Sequence, residues 1–271
     1  MSAPAISLAG AARVLATPAP QAKAEAALEA ARLLLEADAL DPARPAGLAG
    51  RPARPARPVL VPPTDVPRRR LGSVRGRIAL LHALAHIEFN AIDLAFDMAA
   101  RFAADIAEAG LDARAFVADW ARVGADEARH FLMLAERLAS LGAAYGDLPA
   151  HDGLWAAALA TRDDVLARLA VAPMTLEARG LDVTPGLIDR LEAAGDGDSA
   201  ALLRIIYEDE IGHVAAGVRW FRLICDRRAL RPQAAFRALV AARFAGGLKP
   251  PFNADGRRAA DLTADFYAAT G

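Results

Sequence analysis

Apolar residues recur at helical spacing through most of the chain from Val74 onward, and this period constrains the fold more than any other feature. Four long segments carry it, which we call helices A to D: 74–109, 112–141, 162–182 and 199–227. Glycines at 110 and 142 end the first two. Residues 142–161, with a short helical stretch at 153–160, form a long connection between B and C. We therefore predict an all-α four-helix bundle with a long B–C crossover.

Extensions flank the predicted bundle. Short Ala- and Leu-rich helices are expected at 4–16 and 20–38, and another helix near 232–244. The run Arg-Pro-Ala-Arg-Pro-Ala-Arg-Pro at 51–58 cannot be helical, because each proline removes a backbone donor and restricts the residue before it. We interpret it as a solvated, proline-stiffened linker or strap. The predicted organisation is 1–73 for the N-terminal helices and linker, 74–229 for the bundle, and 230–271 for a C-terminal helical extension.

Two prolines interrupt helix C. Pro173 lies inside the helical pattern and is expected to kink the helix or to open its backbone hydrogen bonds. The stretch from Asp182 to Pro185 is expected to end the helix, and a short separate helix is predicted at 186–194.

Charge and cysteine content exclude several classes of protein. The 32 basic and 33 acidic residues leave a net charge of -1, so no overall field draws the chain to nucleic acid or to a membrane. Cys225 is the single cysteine, which excludes an internal disulfide and a thiolate-built metal site and fits a reducing compartment. Charges interrupt every long apolar stretch, and the N-terminus lacks the pattern of a secretory signal. We expect a soluble, cytoplasmic protein.

One glutamate on each predicted bundle helix lies among apolar residues on its own helix face. These four are Glu88, Glu127, Glu177 and Glu210. A histidine follows two of them three residues later, in the pairs Glu127–His130 and Glu210–His213, so each pair lies on one face a single turn apart. Counted along antiparallel helices, with B and C parallel, the four glutamates reach a common height near the middle of the bundle.

Four carboxylates that face one core need positive charge beside them, since an unpaired buried charge is costly. No Lys or Arg shares these helix faces, so the alternatives are protonation or metal binding. The two histidines in step with the glutamates favour metal. Oxygen and imidazole donors without thiolate suit iron, manganese or zinc, and a carboxylate-rich set in a four-helix frame favours iron or manganese.

Further polar residues stand close to these motifs. Asp126 and Asp209 each precede a motif glutamate and could accept the free ring N–H of a histidine across the site, although exposed helix acids are the alternative. Tyr207, one turn before Glu210, is either a hydrogen-bonding or redox group near the metals or a buried tyrosine with a satisfied hydroxyl. Arg179 and Asp182 either line a substrate entrance or form an exposed ion pair.

Several strings resemble known families. Asp-Glu-Ala-Arg-His at 126–130 resembles the motif of soluble methane monooxygenase hydroxylases and acyl-carrier-protein desaturases, and Asp-Glu-Ile-Gly-His at 209–213 resembles its partner, with Gly212 in place of arginine. The order Glu, Glu-x-x-His, Glu, Glu-x-x-His is similar to that of the tRNA-hydroxylating di-iron monooxygenase. Glu-Ala-Arg-Gly-Leu-Asp-Val-Thr-Pro at 177–185, with Pro-Pro-Phe-Asn at 250–253, resembles an uncharacterised family of ferritin-like proteins over nearly the whole chain.

This resemblance implies a ferritin-like bundle that holds two iron ions, with manganese or a mixed iron–manganese pair as alternatives. The ligands that it implies are Glu88, Glu127, His130, Glu177, Glu210 and His213, with the four glutamates as the catalytic carboxylates and with Asp126 and Asp209 behind them.

The expected function is that of an O2-activating oxidase or monooxygenase acting on a small or macromolecular organic substrate. Electrons would come from an external reductase or ferredoxin, because no flavin, nicotinamide or iron–sulfur motif is present. One alternative is an RNA-modifying enzyme of the tRNA-hydroxylase type, which would use the arginines within 51–70 and against which the near-zero net charge argues. The same residues also fit a non-catalytic iron-binding protein, or a bundle whose acids are protonated or exposed. No membrane partner is expected, and a homodimer stays open.

Overall fold

The computed structural model describes residues 5–67 and 70–268. Over these ranges the chain is helical without a strand, and two isolated β-bridges join Ile6 to Leu40 and Leu60 to Ala150. The all-α prediction is confirmed. The chain divides into two compact units, Met1–Trp155 and Ala156–Gly271. Those parts of the predicted segments that fall on residues 1–4, 68–69 and 269–271 lie outside the described residues.

The first unit is built on a pair of long helices. It contains α1 (Ala9–Ala16), α2 (Pro20–Glu36), a short 3-10 helix (Pro63–Asp65), α3 (Val74–Glu108) and α4 (Ala113–Ser140), and α5 (Gly153–Ala160) begins in it. The structural bounds of α3 and α4 lie within one residue of predicted helices A and B. Gly110 and Gly142 follow their ends with φ of 69° and 77°, which is the left-handed conformation that stops a helix.

Side-chain caps and a glycine fix the geometry of this pair. The Ser73 hydroxyl accepts a hydrogen bond from the backbone N–H of Gly76 at 3.2 Å, and the Asp112 carboxylate caps α4 in the same way. Gly124 of α4 permits close approach to α3, because a Cβ there would stand 2.5 Å from the Phe96 ring. Helix α2 packs on α4, and α1 packs on α2 and α3.

The second unit contains the predicted helices C and D. It includes α6 (Val165–Val171), a π-helical segment (Ala172–Glu177), α7 (Ala178–Ala193), α8 (Gly197–Arg227), α9 (Pro232–Arg243), α10 (Ala254–Ala259) and α11 (Ala264–Tyr267). Helix α8 begins two residues before the predicted start of helix D and ends at its predicted end. Helix α7 packs on α8, and α10 contacts both of them.

The π-helical segment confirms the effect predicted for Pro173. Proline cannot donate to the helical ladder, so the local pattern widens, and the Ala178 N–H donates to the Pro173 carbonyl five residues earlier. The Thr175 hydroxyl donates to the Ala170 carbonyl at 2.8 Å within this segment. Gly217 of α8 makes room for this segment, because a Cβ there would stand 2.6 Å from the Pro173 ring.

The predicted end of helix C between Asp182 and Pro185 is wrong, since α7 continues through Pro185 to Ala193. Proline cannot donate a hydrogen bond to the Leu181 carbonyl four residues earlier. That carbonyl instead accepts a hydrogen bond from the Asn253 side-chain amide at 3.1 Å. A distant segment therefore compensates for the proline, and the predicted separate helix at 186–194 is the second half of α7.

Among the described residues, α3 is the one helix that is long and apolar enough to cross a membrane by length and composition. Of its most apolar stretch 78% is buried inside the protein, as in the core helix of a soluble protein.

Candidate metal centre

Three buried side chains meet between α3 and α4 of the first unit. Glu88 belongs to α3, and Glu127 and His130 lie one turn apart on α4; each is at most 3% exposed. The His130 Nδ1 atom lies 3.3 Å from Glu88 Oε2 and 3.6 Å from Glu127 Oε2. The apolar faces read from the sequence thus do turn both glutamates inward, and the helix pair brings them to one imidazole.

The electrostatics of this cluster are dominated by its acids. Burial raises the pKa of Glu88 well above its ordinary value, and the negative charge of Glu127 raises it further, while His130 acts in the opposite direction. Burial lowers the pKa of His130, but the hydrogen bonds and the negative charges of Glu127 and Glu88 together outweigh it and raise that pKa to about 11. Two carboxylates so placed are ionised together only where positive charge accompanies them.

The second unit contains the other predicted glutamate–histidine pair. Glu210 and His213 lie one turn apart on α8, with 3.7 Å between Glu210 Oε2 and His213 Nδ1. The His213 side chain is buried, and that of Glu210 is 12% exposed. Glu177 is half-buried and ends the π-helical segment, so its backbone position depends on the irregularity that Pro173 introduces. The roles of Glu177 and His213 as ligands stay predictions.

The residues predicted to lie behind the ligands have contacts of their own. Asp126 forms an ion pair with Arg129 one turn later on α4, and its side chain is 23% exposed. The Tyr207 hydroxyl accepts a hydrogen bond from the Asn253 side-chain amide at 3.1 Å, so the hydroxyl is satisfied, as one of the two interpretations of the sequence predicts. Asp209 is half-buried on α8. That Asp126, Asp209 or Tyr207 also supports a metal ligand stays a prediction.

The donor set fits a transition metal bound by oxygen and nitrogen. In the first unit, the buried residues that could hold a metal ion are Glu88, Glu127 and His130. Carboxylate and imidazole donors suit iron, manganese or zinc. The chain's thiol does not compete, because Cys225 is fully buried and burial raises its pKa to about 11, which keeps it protonated at neutral pH.

Sequence reasoning missed a second buried charge cluster, also on α3. Asp93 is fully buried and binds the buried Lys23 ammonium of α2 at 2.5 Å. The Arg54 guanidinium also binds Asp93, and it donates to the Asn90 side chain at 2.6 Å. The interpretation of the Arg/Pro-rich segment as solvated is therefore wrong at Arg54, which anchors that segment. A signal existed, because Asp93 has Phe89, Asn90, Phe96 and Asp97 on its helix face and so needs a cation from elsewhere.

These features define an all-helical protein with a buried cluster of carboxylates and imidazole. The family described as "Protein of unknown function (DUF455)" matches residues 16–268, and the chain belongs to it. A relative described as "Uncharacterized protein", from Haemophilus influenzae (strain ATCC 51907 / DSM 11121 / KW20 / Rd), is 44% identical over 182 residues. That match covers 67% of this chain and 63% of the relative, so less than two thirds of the relative's length is spanned. No solved structure matches the chain.

Proposed function

We propose that this protein binds two transition-metal ions, with iron as the natural metal, and uses them to activate O2 for the oxidation of an organic substrate. The observation that carries the proposal is the pairing of two buried carboxylates, Glu88 and Glu127, across one imidazole. A structural ion pair would place a lysine or arginine beside such an acid. The charge that acts most strongly on Glu88 is instead that of a second acid.

The residues of α3 and α4 would supply different groups to the metal ions. Glu88 and Glu127 supply negative charge that offsets the charge of the metal, and His130 supplies a nitrogen donor whose position is set by both carboxylates. Phe131 lies one turn after Glu127 on α4, is buried, and packs against Phe89 with 5.5 Å between the ring centres. Bound ferrous ions would supply the reduction of O2 and the oxidising power that follows from it.

The rest of the centre would come from the second unit. Under this proposal Glu177, Glu210 and His213 complete the ligands, and Asp126, Asp209 and Tyr207 support them. Helices α3, α4, α6–α7 and α8 would then be the four members of a ferritin-like bundle at 74–229, between an N-terminal extension at 1–73 and a C-terminal one at 230–271. The support is the repeated Glu-x-x-His pattern on α4 and α8 and the irregular segment at Glu177.

The proposal also specifies the partners. O2, an organic substrate and an external reductase or ferredoxin are required, and a reducing cytoplasm suits both ferrous iron and the buried thiol of Cys225. The RNA-modifying alternative is weakened because Arg51 and Arg54 are bound to acids of their own unit, Asp152 and Asp93. Those two guanidinium groups cannot serve phosphates without breaking these pairs.

Elemental analysis of the purified protein tests the proposal. After anaerobic reconstitution with ferrous iron we expect about two metal ions per chain. Glu127→Gln, which keeps the side-chain shape and removes the charge, should reduce the metal content to near zero. Glu108→Gln is the matched control, since Glu108 is an exposed acid at the end of α3. Far-UV circular dichroism establishes that each variant is folded.

O2 consumption separates catalysis from storage. The iron-loaded protein, reduced anaerobically and then exposed to O2, should consume O2 repeatedly when a chemical reductant is supplied. A metal content near zero in the reconstituted wild-type protein would overturn the metal assignment. Loading without repeated O2 consumption would favour the iron-binding alternative over the oxidase.

A further inference from the structure

A cavity of about 200 Å3 lies within the second unit, between the π-helical segment and the chain that follows α9. Its lining combines cationic and apolar side chains, among them Leu176, Arg179, Phe244, Leu248, Lys249 and Arg257. The volume is below the roughly 300–1,000 Å3 of pockets for drug-sized ligands, so the cavity suits a small molecule. Leu176 precedes Glu177 in the chain, which connects this cavity to a predicted ligand position.

The hydrogen bonding of Arg257 is the strongest indication of a ligand. It is 1% exposed, and its Nε and Nη2 atoms donate to the two carboxylate oxygens of Asp182 at 2.8 and 2.7 Å. The third nitrogen, Nη1, is buried without a hydrogen-bond acceptor anywhere in the described residues. A buried donor on a charged group is costly to leave without an acceptor, so an acceptor on a bound molecule would relieve that cost.

The guanidinium of Arg257 is held rigidly for such a contact. It lies 4.7 Å from the ring centre of Phe252 and 4.6 Å from that of Tyr267, in addition to its two bonds with Asp182. The preorganised group therefore loses little conformational entropy when a ligand binds.

The charge balance of the lining favours an anion. Arg179, Lys249 and Arg257 contribute three positive charges, and Asp182, which pairs with both Arg257 and Arg179, contributes one negative charge. Arg179 also donates to the backbone carbonyls of Lys249 and Pro251 at 2.9 and 3.0 Å, which fixes the segment that carries the lysine. The lining thus has an excess of positive charge near Arg257 Nη1, the nitrogen without an acceptor.

We propose that this cavity binds a small organic anion. A carboxylate or phosphate group accepts from Arg257 Nη1 and pairs with the Lys249 ammonium, and a short apolar body packs on Leu176, Phe244 and Leu248. Binding of the anion stands on the cavity alone. That the bound anion is also the substrate of the oxidising centre rests on the proposed function. The link between them is Glu177, a proposed metal ligand that follows the cavity residue Leu176 in the chain.

Isothermal titration calorimetry with four probes tests the site. Hexanoate and hexyl phosphate carry the two candidate head groups on the same apolar body, hexanol lacks the charge, and inorganic phosphate lacks the apolar body. We expect hexanoate or hexyl phosphate to bind at least about tenfold more tightly than hexanol or inorganic phosphate. The stronger of the two identifies the head group.

Variants locate the binding. Arg257→Lys removes the open Nη1 and should weaken the preferred probe about tenfold or more. Because Arg257 also holds Asp182, that variant could lose its fold, so Lys249→Gln provides a second test at an exposed position, with weakening of at least about threefold. Arg258→Gln is the matched control on the same helix, since the Arg258 side chain is 69% exposed and pairs with Asp255. Its affinity should equal that of the wild type.

The titrations are repeated in metal-free Glu127→Gln protein, where the probe should bind as in the wild type. Equal affinity for hexanol and both anions, or weakening by Arg258→Gln as large as that by Lys249→Gln, would overturn the anion site. Failure of metal loading with anion binding intact would instead remove the proposed oxidase and leave the cavity as a binding site.

Discussion

Among the buried charged groups on helix α3, the clusters at Asp93 and at Glu88 differ in how their charge is balanced. At Asp93 the chain supplies its own positive charge, with Lys23 from α2 and Arg54 from the Arg/Pro-rich segment both bound to the one carboxylate. At Glu88 it supplies a second acid, Glu127, across a histidine. The same helix therefore shows how this protein buries an acid for structural reasons, and the Glu88 cluster does not follow that pattern.

The pKa shifts express this difference. Burial raises the pKa of Asp93 above its ordinary value, and the charges of Lys23 and Arg54 and their hydrogen bonds offset part of that rise. Burial also raises the pKa of Glu88, but there the neighbouring Glu127 adds to the effect of burial. At Asp93 both cationic neighbours oppose the effect of burial, whereas at Glu88 only His130 opposes it and Glu127 adds to it. This difference supports a metal ion, supplied from outside the chain, at Glu88 and Glu127.

The largest effect is expected when the compensated cluster is broken. Asp93→Asn leaves the Lys23 ammonium buried without its carboxylate, so the free energy of unfolding should fall by about 3–5 kcal/mol. Urea unfolding followed by circular dichroism measures it. Asp105→Asn is the control on the same helix, because Asp105 is 41% exposed, and its variant should stay within about 0.5 kcal/mol of the wild type. Equal effects of the two substitutions would contradict the role given to Asp93.

The same acid-to-amide change at Glu88 should act in the opposite direction in metal-free protein. Glu88→Gln removes a carboxylate that burial and Glu127 both disfavour, so stability should rise by roughly 1 kcal/mol or more. Added ferrous or manganous ion should then stabilise the wild type by about 2.7 kcal/mol at a free concentration one hundred times Kd, and the variant by much less. Metal-free Glu88→Gln protein that unfolds as easily as Asp93→Asn would show that Glu88 is a structural acid.

The two clusters also differ in how far the sequence could reveal them. The inward faces of Glu88 and Glu127 follow from local periodicity, and the glycines that end α3 and α4 place the two helices side by side. The partners of Asp93 come from 70 and 39 residues away, and no local pattern pairs them. Such pairs form only when the tertiary fold brings distant segments together, so local sequence patterns do not predict them.

The same limit explains the error in helix C. Pro173 acts on its own turn of helix, so its effect was predictable, and the π-helical segment shows it. Pro185 should also have ended a helix, but the Asn253 amide binds the Leu181 carbonyl that the proline cannot reach. Arg179 and Asp182 do form the ion pair that one interpretation of the sequence predicts, at 3.4 Å, but Asp182 is buried against Arg257 and not exposed. Each error involves a partner from the C-terminal extension.

The smallest effect tests whether the Arg/Pro-rich segment is held by its buried arginine alone. Arg51 pairs with Asp152 at 2.6 Å, but its side chain is 60% exposed, whereas that of Arg54 is 22% exposed and binds the fully buried Asp93. Solvent screens the outer pair, so Arg51→Gln should change the free energy of unfolding by no more than about 0.5 kcal/mol. Arg54→Gln should cost more than this and less than Asp93→Asn, because Lys23 still compensates the acid. A loss at Arg51 as large as that at Arg54 would mean that the whole segment, and not the buried charge, stabilises this side of α3.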